Sequence, residues 1–154
     1  MIDLRAKPAH SYRDDPAVPA FDDTAPIVIV DGECVLCTRS ARLLSRLDKS
    51  GAFRICPSQS RLGSAILVHY GLDPADPDTW LYLVDGQAYS SLDAIIRVGR
   101  RVGGIGRAAV VLWVLPRFVQ DWLYRRVARN RYWLFGRTDM CALPDEGLRR
   151  RLIG

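Results

Sequence analysis

Apolar and polar positions along the chain follow two alternating rhythms. Ile27–Val30 (IVIV) is apolar at every position, which predicts a central strand covered on both faces. From about Cys34 to Lys49, Leu43, Leu44 and Leu47 stand at helical spacing with Arg39, Arg42 and Arg46 between them, and Ser50-Gly51 supplies a stop. Ala52–Cys56 (AFRIC) predicts a second short strand, ended by Pro57. Helical spacing returns from Ser60 to Tyr70 through Leu62, Ile66 and Leu67. Trp80–Val84, Asp85-Gly86 and Gln87–Tyr89 read as a strand, a tight turn and a returning strand. Ser90, with Asp93 three residues on, resembles a capping box opening a helix whose inner face is Ala94, Ile95, Val98 and Val102.

The predicted order over residues 26–102 is β-α-β-α-β-β-α. A helical crossover to a parallel strand, then a hairpin and a covering helix, is an α/β sandwich. It is also the element order of a thioredoxin-like core. Beyond Gly103-Gly104 the pattern becomes helical. Ala108–Leu115 is a short apolar helix interrupted at Pro116, and Arg117–Arg129 carries Phe118, Trp122 and Val127 at the spacing of a buried stripe. The aromatic and arginine series from Trp113 to Phe135 is therefore expected to be mainly core with its arginines outside; the other reading is a partner- or membrane-facing surface. Residues 145–154 are expected to end the chain in a short helix. Residues 1–25, with Pro8, Pro16, Pro19, Asp14, Asp15, Asp22 and Asp23, have little apolar periodicity and read as a flexible arm. The expected organisation is that arm followed by one domain over 26–154, with its core in 26–102 and a helical extension in 103–154.

Charge changes the picture at one end only. The net charge of +5 divides into −4 over residues 1–96 and +9 over residues 97–154, where 13 arginines face 4 acids. Such a basic third suits an acidic partner or an anionic membrane surface, or is simply a solvated helical face. No nucleic-acid motif accompanies it, so no nucleic acid is expected as a partner. The first residues lack the apolar segment of a signal peptide, and no stretch approaches the roughly 20 apolar residues of a membrane span. A cytoplasmic location is expected, and there a C-x-x-C is more readily catalytic or metal-binding than a structural bridge.

The chemistry-bearing pattern is Asp31-Gly32-Glu33-Cys34-Val35-Leu36-Cys37, at the change from strand to helix. A helix N-terminus favours a thiolate, so Cys34 is expected at the exposed end as nucleophile, with Cys37 one turn later, more shielded, as resolving thiol. Asp31 is placed either to cap the turn or to take a proton from Cys37, the latter on condition that partial burial lifts its pKa. The alternative is a non-catalytic binding or membrane-surface accessory module whose C-x-x-C is vestigial or holds a metal. Cys56 and Cys141 stand alone and neither His10 nor His69 is suitably spaced, so no metal and no cofactor is expected. Cys56 reads as a small buried hydrophobe. Neither histidine has the context of a hydrolase triad.

The chain resembles the DCC family of predicted thiol-disulfide oxidoreductases, named for an Asp-Cys-Cys pattern. Beyond Asp31-Gly32-x-Cys34-x-x-Cys37, the similarity extends to Ser58-Gln59-Ser60, Ser91-x-Asp93-Ala94 and Leu115-Pro116. It continues through Tyr124-x-x-x-Ala128-Arg129-Asn130-Arg131-Tyr132 and Phe135-Gly136 to Cys141, so that it runs from about Ile27 to Pro144. The resemblance implies a thioredoxin-like fold, the dithiol as active site and a helical C-terminal extension; the expected substrate is a disulfide-containing protein or small molecule. Ser58, Gln59, Ser91 and Asp93 are candidates to line the site, or else cap helices. Arg129 and Arg131 either approach the dithiol or Cys141, or pair with acids. Thioredoxins carry a cis-proline just before the third core strand; here Asp78-Thr79 precede Trp80 and the nearest proline is Pro77.

Overall fold

Four short strands form one mixed sheet in the order β2-β1-β3-β4. They are β1 (Ile27–Val30), β2 (Arg54–Pro57), β3 (Leu81–Val84) and β4 (Gln87–Ser90). β1 runs parallel to β2 and antiparallel to β3, which pairs antiparallel with β4. The helices are α1 (Val35–Leu47), α2 (Arg61–His69), α3 (Ser91–Val102), α4 (Arg117–Phe135) and α5 (Glu146–Arg149). This computed structural model describes residues 4–75, 80–140 and 145–154. Its topology is that of a thioredoxin-like fold.

Alternation along β1 explains the layering. Ile27 and Ile29 join Leu62, Ile66 and Leu67 of α2 on one face, whereas Val28 and Val30 join Ala41 and Leu44 of α1 and Ala94 of α3 on the other. A four-residue strand that is apolar throughout thus has both faces filled. The β3–β4 turn forms at Asp85-Gly86, where both residues take positive φ, as a two-residue hairpin demands.

Because β4 runs in the same direction as β1 and β2, all three strands end at one edge of the sheet. Asp31, Ser58-Gln59 and the start of α3 therefore share that edge. In parallel arrangements this is where sites form, since loops leave the strands there and helix N-termini face them.

Three expectations need correction. Residues 1–25 are not simply a loose arm: Leu4 and Tyr12 are buried in the α2-side core, with Val18 and Phe21 packed against it. Polar bonds fix that placement. The Tyr12 hydroxyl donates to Asp23 at 2.6 Å, Arg13 donates twice to the same carboxylate at 2.8 Å, and the His10 N–H donates to the Gly86 carbonyl at 3.0 Å. His69 lies between Ser11 (2.9 Å) and Asp15 (2.7 Å), tying the segment to α2. Sparse apolar residues sufficed because each found a partner across the fold.

Second, the capping box at Ser90 does not form through that side chain, and Ser91 begins α3 with φ of 57°. Third, the aromatic series is not core. Gly104–Val114 is a 3-10 helix without a buried residue, and Trp113, Phe118, Trp122, Trp133 and Phe135 are all exposed. The buried positions of α4 are instead Gln120, Ala128 and Arg131. The helix forms as its period predicts but turns another face inward, because Gln120 and Arg131 of α4 are held there by polar bonds. Gln120 donates to the Leu112 and Leu115 carbonyls at 3.1 and 2.7 Å.

Candidate active site

The strand-to-helix junction is built on Asp31. Its Oδ1 accepts from the Glu33 N–H at 2.8 Å, closing an Asx-type turn, and from the Gln59 amide at 2.7 Å. The Gln59 carbonyl oxygen in turn accepts from the Gly32 N–H at 3.0 Å. One side chain from the end of β2 thus clamps the loop after β1. A Cβ on Gly32 would lie 3.1 Å from that Gln59 oxygen and 3.3 Å from Pro57, so the second residue of the motif has little room for a side chain.

The other carboxylate oxygen faces α4. Arg131 donates to Asp31 Oδ2 at 2.5 Å, and Tyr132 donates its hydroxyl to the same oxygen. A second nitrogen of Arg131 reaches Cys37 Sγ at 3.7 Å. These bonds, with those from Glu33 and Gln59, hold the Asp31 carboxyl below the usual carboxylate range although burial pushes it up. The lift expected for proton transfer is absent, and its cause is plain. Three side chains and one backbone N–H stabilise the anion.

Cys34 caps the N-terminus of α1, its carbonyl accepting from the Thr38 N–H at 2.9 Å, and Cys37 lies one turn on. Both carry free thiols, and the two side chains hydrogen-bond to each other. Burial, together with Cys34 and Asp31, pushes the Cys37 thiol up to about 12 against the pull of Arg131.

The expected exposures of the two sulfurs are reversed. Cys34 is 0 % exposed and Cys37 half-buried. The cause is a strap that no local pattern announces. α4 ends at Gly136, whose φ of 81° turns the chain back, and Arg137 then pairs with Cys34 in an isolated antiparallel bridge. The Val35 N–H donates to the Gly136 carbonyl (3.4 Å), the Thr138 N–H to Glu33 (2.8 Å) and the Met140 N–H to Gly32 (2.9 Å). Beside the strap lies a cleft of about 440 Å³, lined by Gly32, Glu33, Pro57, Gln59 and residues 137–139.

Of the other candidates, Gln59 is joined to the motif directly. Ser58 is buried, its N–H donating to the Val30 carbonyl at 2.8 Å. Ser91 and Asp93 sit two strands away at the same sheet edge, where Asp93 pairs with Arg97 at 3.1 Å. Arg129 is exposed, whereas Arg131 is the arginine that reaches the dithiol. Cys56 is buried beside Ser60, 3.3 Å away. Cys141 and the segment around Pro77 lie outside the described residues. Among those described, no group of three His, Cys, Asp or Glu side chains is placed to hold a metal.

Tyr132 was missed as a site residue in the sequence. Its signal was adjacency: it follows the buried Arg131 directly on α4. Its ring also meets two guanidinium groups, that of Arg131 at 5.0 Å and that of Arg137 at 4.7 Å, linking α4 to the strap.

Comparison with known proteins gives the family. The family model of DCC1-like thiol-disulfide oxidoreductases matches residues 28–137, from β1 to the strap. An uncharacterized protein of Bacillus subtilis, YuxK, is 31% identical over 127 residues, 82% of this chain and 93% of the relative. A DCC family protein of Arabidopsis thaliana, named as chloroplastic, is 31% identical over 123 residues, 79% of this chain and 72% of the relative. No solved structure gives a significant match. With its motif, its topology and these relatives in agreement, the chain belongs to the DCC1-like thiol-disulfide oxidoreductase family.

Proposed function

We propose that the protein exchanges its Cys34–Cys37 dithiol with a disulfide of a protein or small-molecule substrate. The observation that carries this reading is Arg131, a buried cation fixed by Asp31 and Tyr132 and aimed at the sulfur pair. A guanidinium beside two hydrogen-bonded thiols favours loss of one proton, and Cys37 is the thiol that keeps its own. Attack falls to Cys34, at the N-terminus of α1. It attacks a substrate sulfur, forming a mixed disulfide and releasing the other substrate sulfur as a thiol. Cys37 loses its proton and attacks Cys34 Sγ, giving the Cys34–Cys37 disulfide and the second substrate thiol. Two electrons pass to the substrate, and an external dithiol must reduce the enzyme again.

Asp31 acts first as a positioning residue for Arg131 in this scheme. It starts ionised, the right state to accept the Cys37 proton, but its partners make it a weak base. The strap must part from residues 32–35 before Cys34 meets a disulfide. A reducing cytoplasmic setting suits a dithiol that is regenerated in this way.

One observation favours the exchanged roles: Cys37 is the more accessible sulfur and the one that Arg131 touches. Trapping decides. Cys37→Ser should accumulate a mixed disulfide with a model disulfide while Cys34→Ser does not; the opposite result assigns attack to Cys37. If neither variant loses exchange relative to wild type, the dithiol is not the active group.

A further inference from the structure

α4 is built inside out. Its inward positions are Gln120, Ala128 and Arg131, whereas Phe118, Trp122 and Trp133 point outward, 74, 62 and 86 % exposed. A helix of a water-soluble domain normally shows the reverse. The 3-10 helix before it adds Ile105, Val111 and Val114, all more than two-thirds exposed, on an eleven-residue segment that is apolar but for Arg107 and has no buried side chain. The two pieces continue one another through Pro116, and the run is held close to α3 where Gly99 faces Gly106: a Cβ on Gly99 would lie 2.4 Å from the Gly106 carbonyl oxygen. The apolar surface is thus held out by the fold rather than left by fraying.

Its charge says what it meets. Arg125 and Arg126 interleave with Trp122 and Trp133 on the outward side of α4, while Arg100 lies over the Trp113 ring at 5.6 Å. The last 58 residues carry +9. A second copy of the chain would bring these arginines against their own kind, which opposes self-association through this face. An anionic bilayer surface offers both complements at once: headgroups for arginine, and the interfacial zone in which tryptophan settles. Among the described residues no helix is long and apolar enough to cross a membrane, so the contact would be peripheral. We infer that residues 104–135 form a membrane-docking surface, specific for anionic lipid, on the helical extension beside the dithiol.

The experiment is co-sedimentation of the full chain with vesicles of phosphatidylcholine alone or mixed with phosphatidylserine, in low and in high salt. Expected are binding to the anionic vesicles, a blue shift of tryptophan emission, and a loss of binding by roughly tenfold or more in high salt. Trp122→Ser combined with Trp133→Ser, and separately Arg125→Glu combined with Arg126→Glu, should each weaken binding by at least ~10-fold. Both pairs are exposed, and circular dichroism together with unchanged dithiol alkylation checks that the variants fold. Absence of binding to anionic vesicles at low salt overturns the inference. So does binding unaffected by both double variants, or concentration-dependent self-association that the tryptophan variants abolish while vesicles are ignored.

Discussion

Arg131 and Asp31, one hundred residues apart, form an ion pair in which the two side chains are 4 and 5 % exposed. It joins the extension to the end of β1, and the family motif therefore depends on a helix far from it in sequence. Removing one partner of such a pair leaves a charge buried alone, at a cost of about 3–5 kcal/mol. Arg131→Met should lower stability in urea unfolding by that order and shift the pH midpoint of dithiol alkylation upward. The midpoint is the telling readout, since a merely structural arginine would not move it. Arg131→Met with Asp31→Asn should recover part of the stability and part of the alkylation shift, since the Asp31 carboxylate itself pushes the neighbouring thiol up.

The strap makes a kinetic prediction. Thr138→Pro deletes the N–H that donates to Glu33 at 2.8 Å, loosening the cover on Cys34 while leaving α1 and the sheet intact. Cys34 should be alkylated several-fold faster in this variant, measured by mass spectrometry of the modified peptide. Unchanged alkylation would mean that the sulfur is reached by another route.

Stability should fall at alkaline pH in the reduced protein. The Cys37 thiol, pushed up to about 12, holds its proton more tightly folded than unfolded, where a thiol titrates near 8.5. Its contribution is complete below about pH 8.5 and is lost as pH rises toward 12. Buried tyrosines such as Tyr82 act in the same direction, so the comparison must be with Cys37→Ala. The difference between the two stability curves should shrink over that interval.

Acid acts through the opposite sign. Asp31 and Asp48 both titrate below the usual carboxylate range in the folded chain, so their contribution is present above about pH 4 and lost as pH falls through their folded values. Asp48 is paired with Arg151, which also donates to the Asp48 and Ser45 carbonyls at 2.7 and 3.1 Å. Beside it, the Ile55 N–H donates to the Arg151 carbonyl at 2.8 Å, fastening the chain's last residues along β2. Arg151→Ala should cost about 3 kcal/mol at neutral pH and flatten the acid limb of the stability curve, read by denaturant unfolding at several pH values.

The order of elements and the place of the dithiol were legible in the sequence because both are local. Strand alternation, a positive-φ hairpin turn and a change of period each need only a few adjacent residues, and IVIV followed by D-G-x-C-x-x-C contains them. The pairing of Asp31 with Arg131 and Tyr132, the strap over Cys34 and the burial of Tyr12 were not local. Each joins segments that meet only once the sheet and helices are assembled. The same limit explains α4. Periodicity shows that a helix has two faces, but which face turns inward depends on what the rest of the fold offers it. Here an aspartate and two carbonyls bind the polar face, and the aromatic face is left outside. Sequence alone therefore determined that a dithiol sits at the head of the first helix, and tertiary structure decided which charges surround it, what covers it and which surface the extension presents.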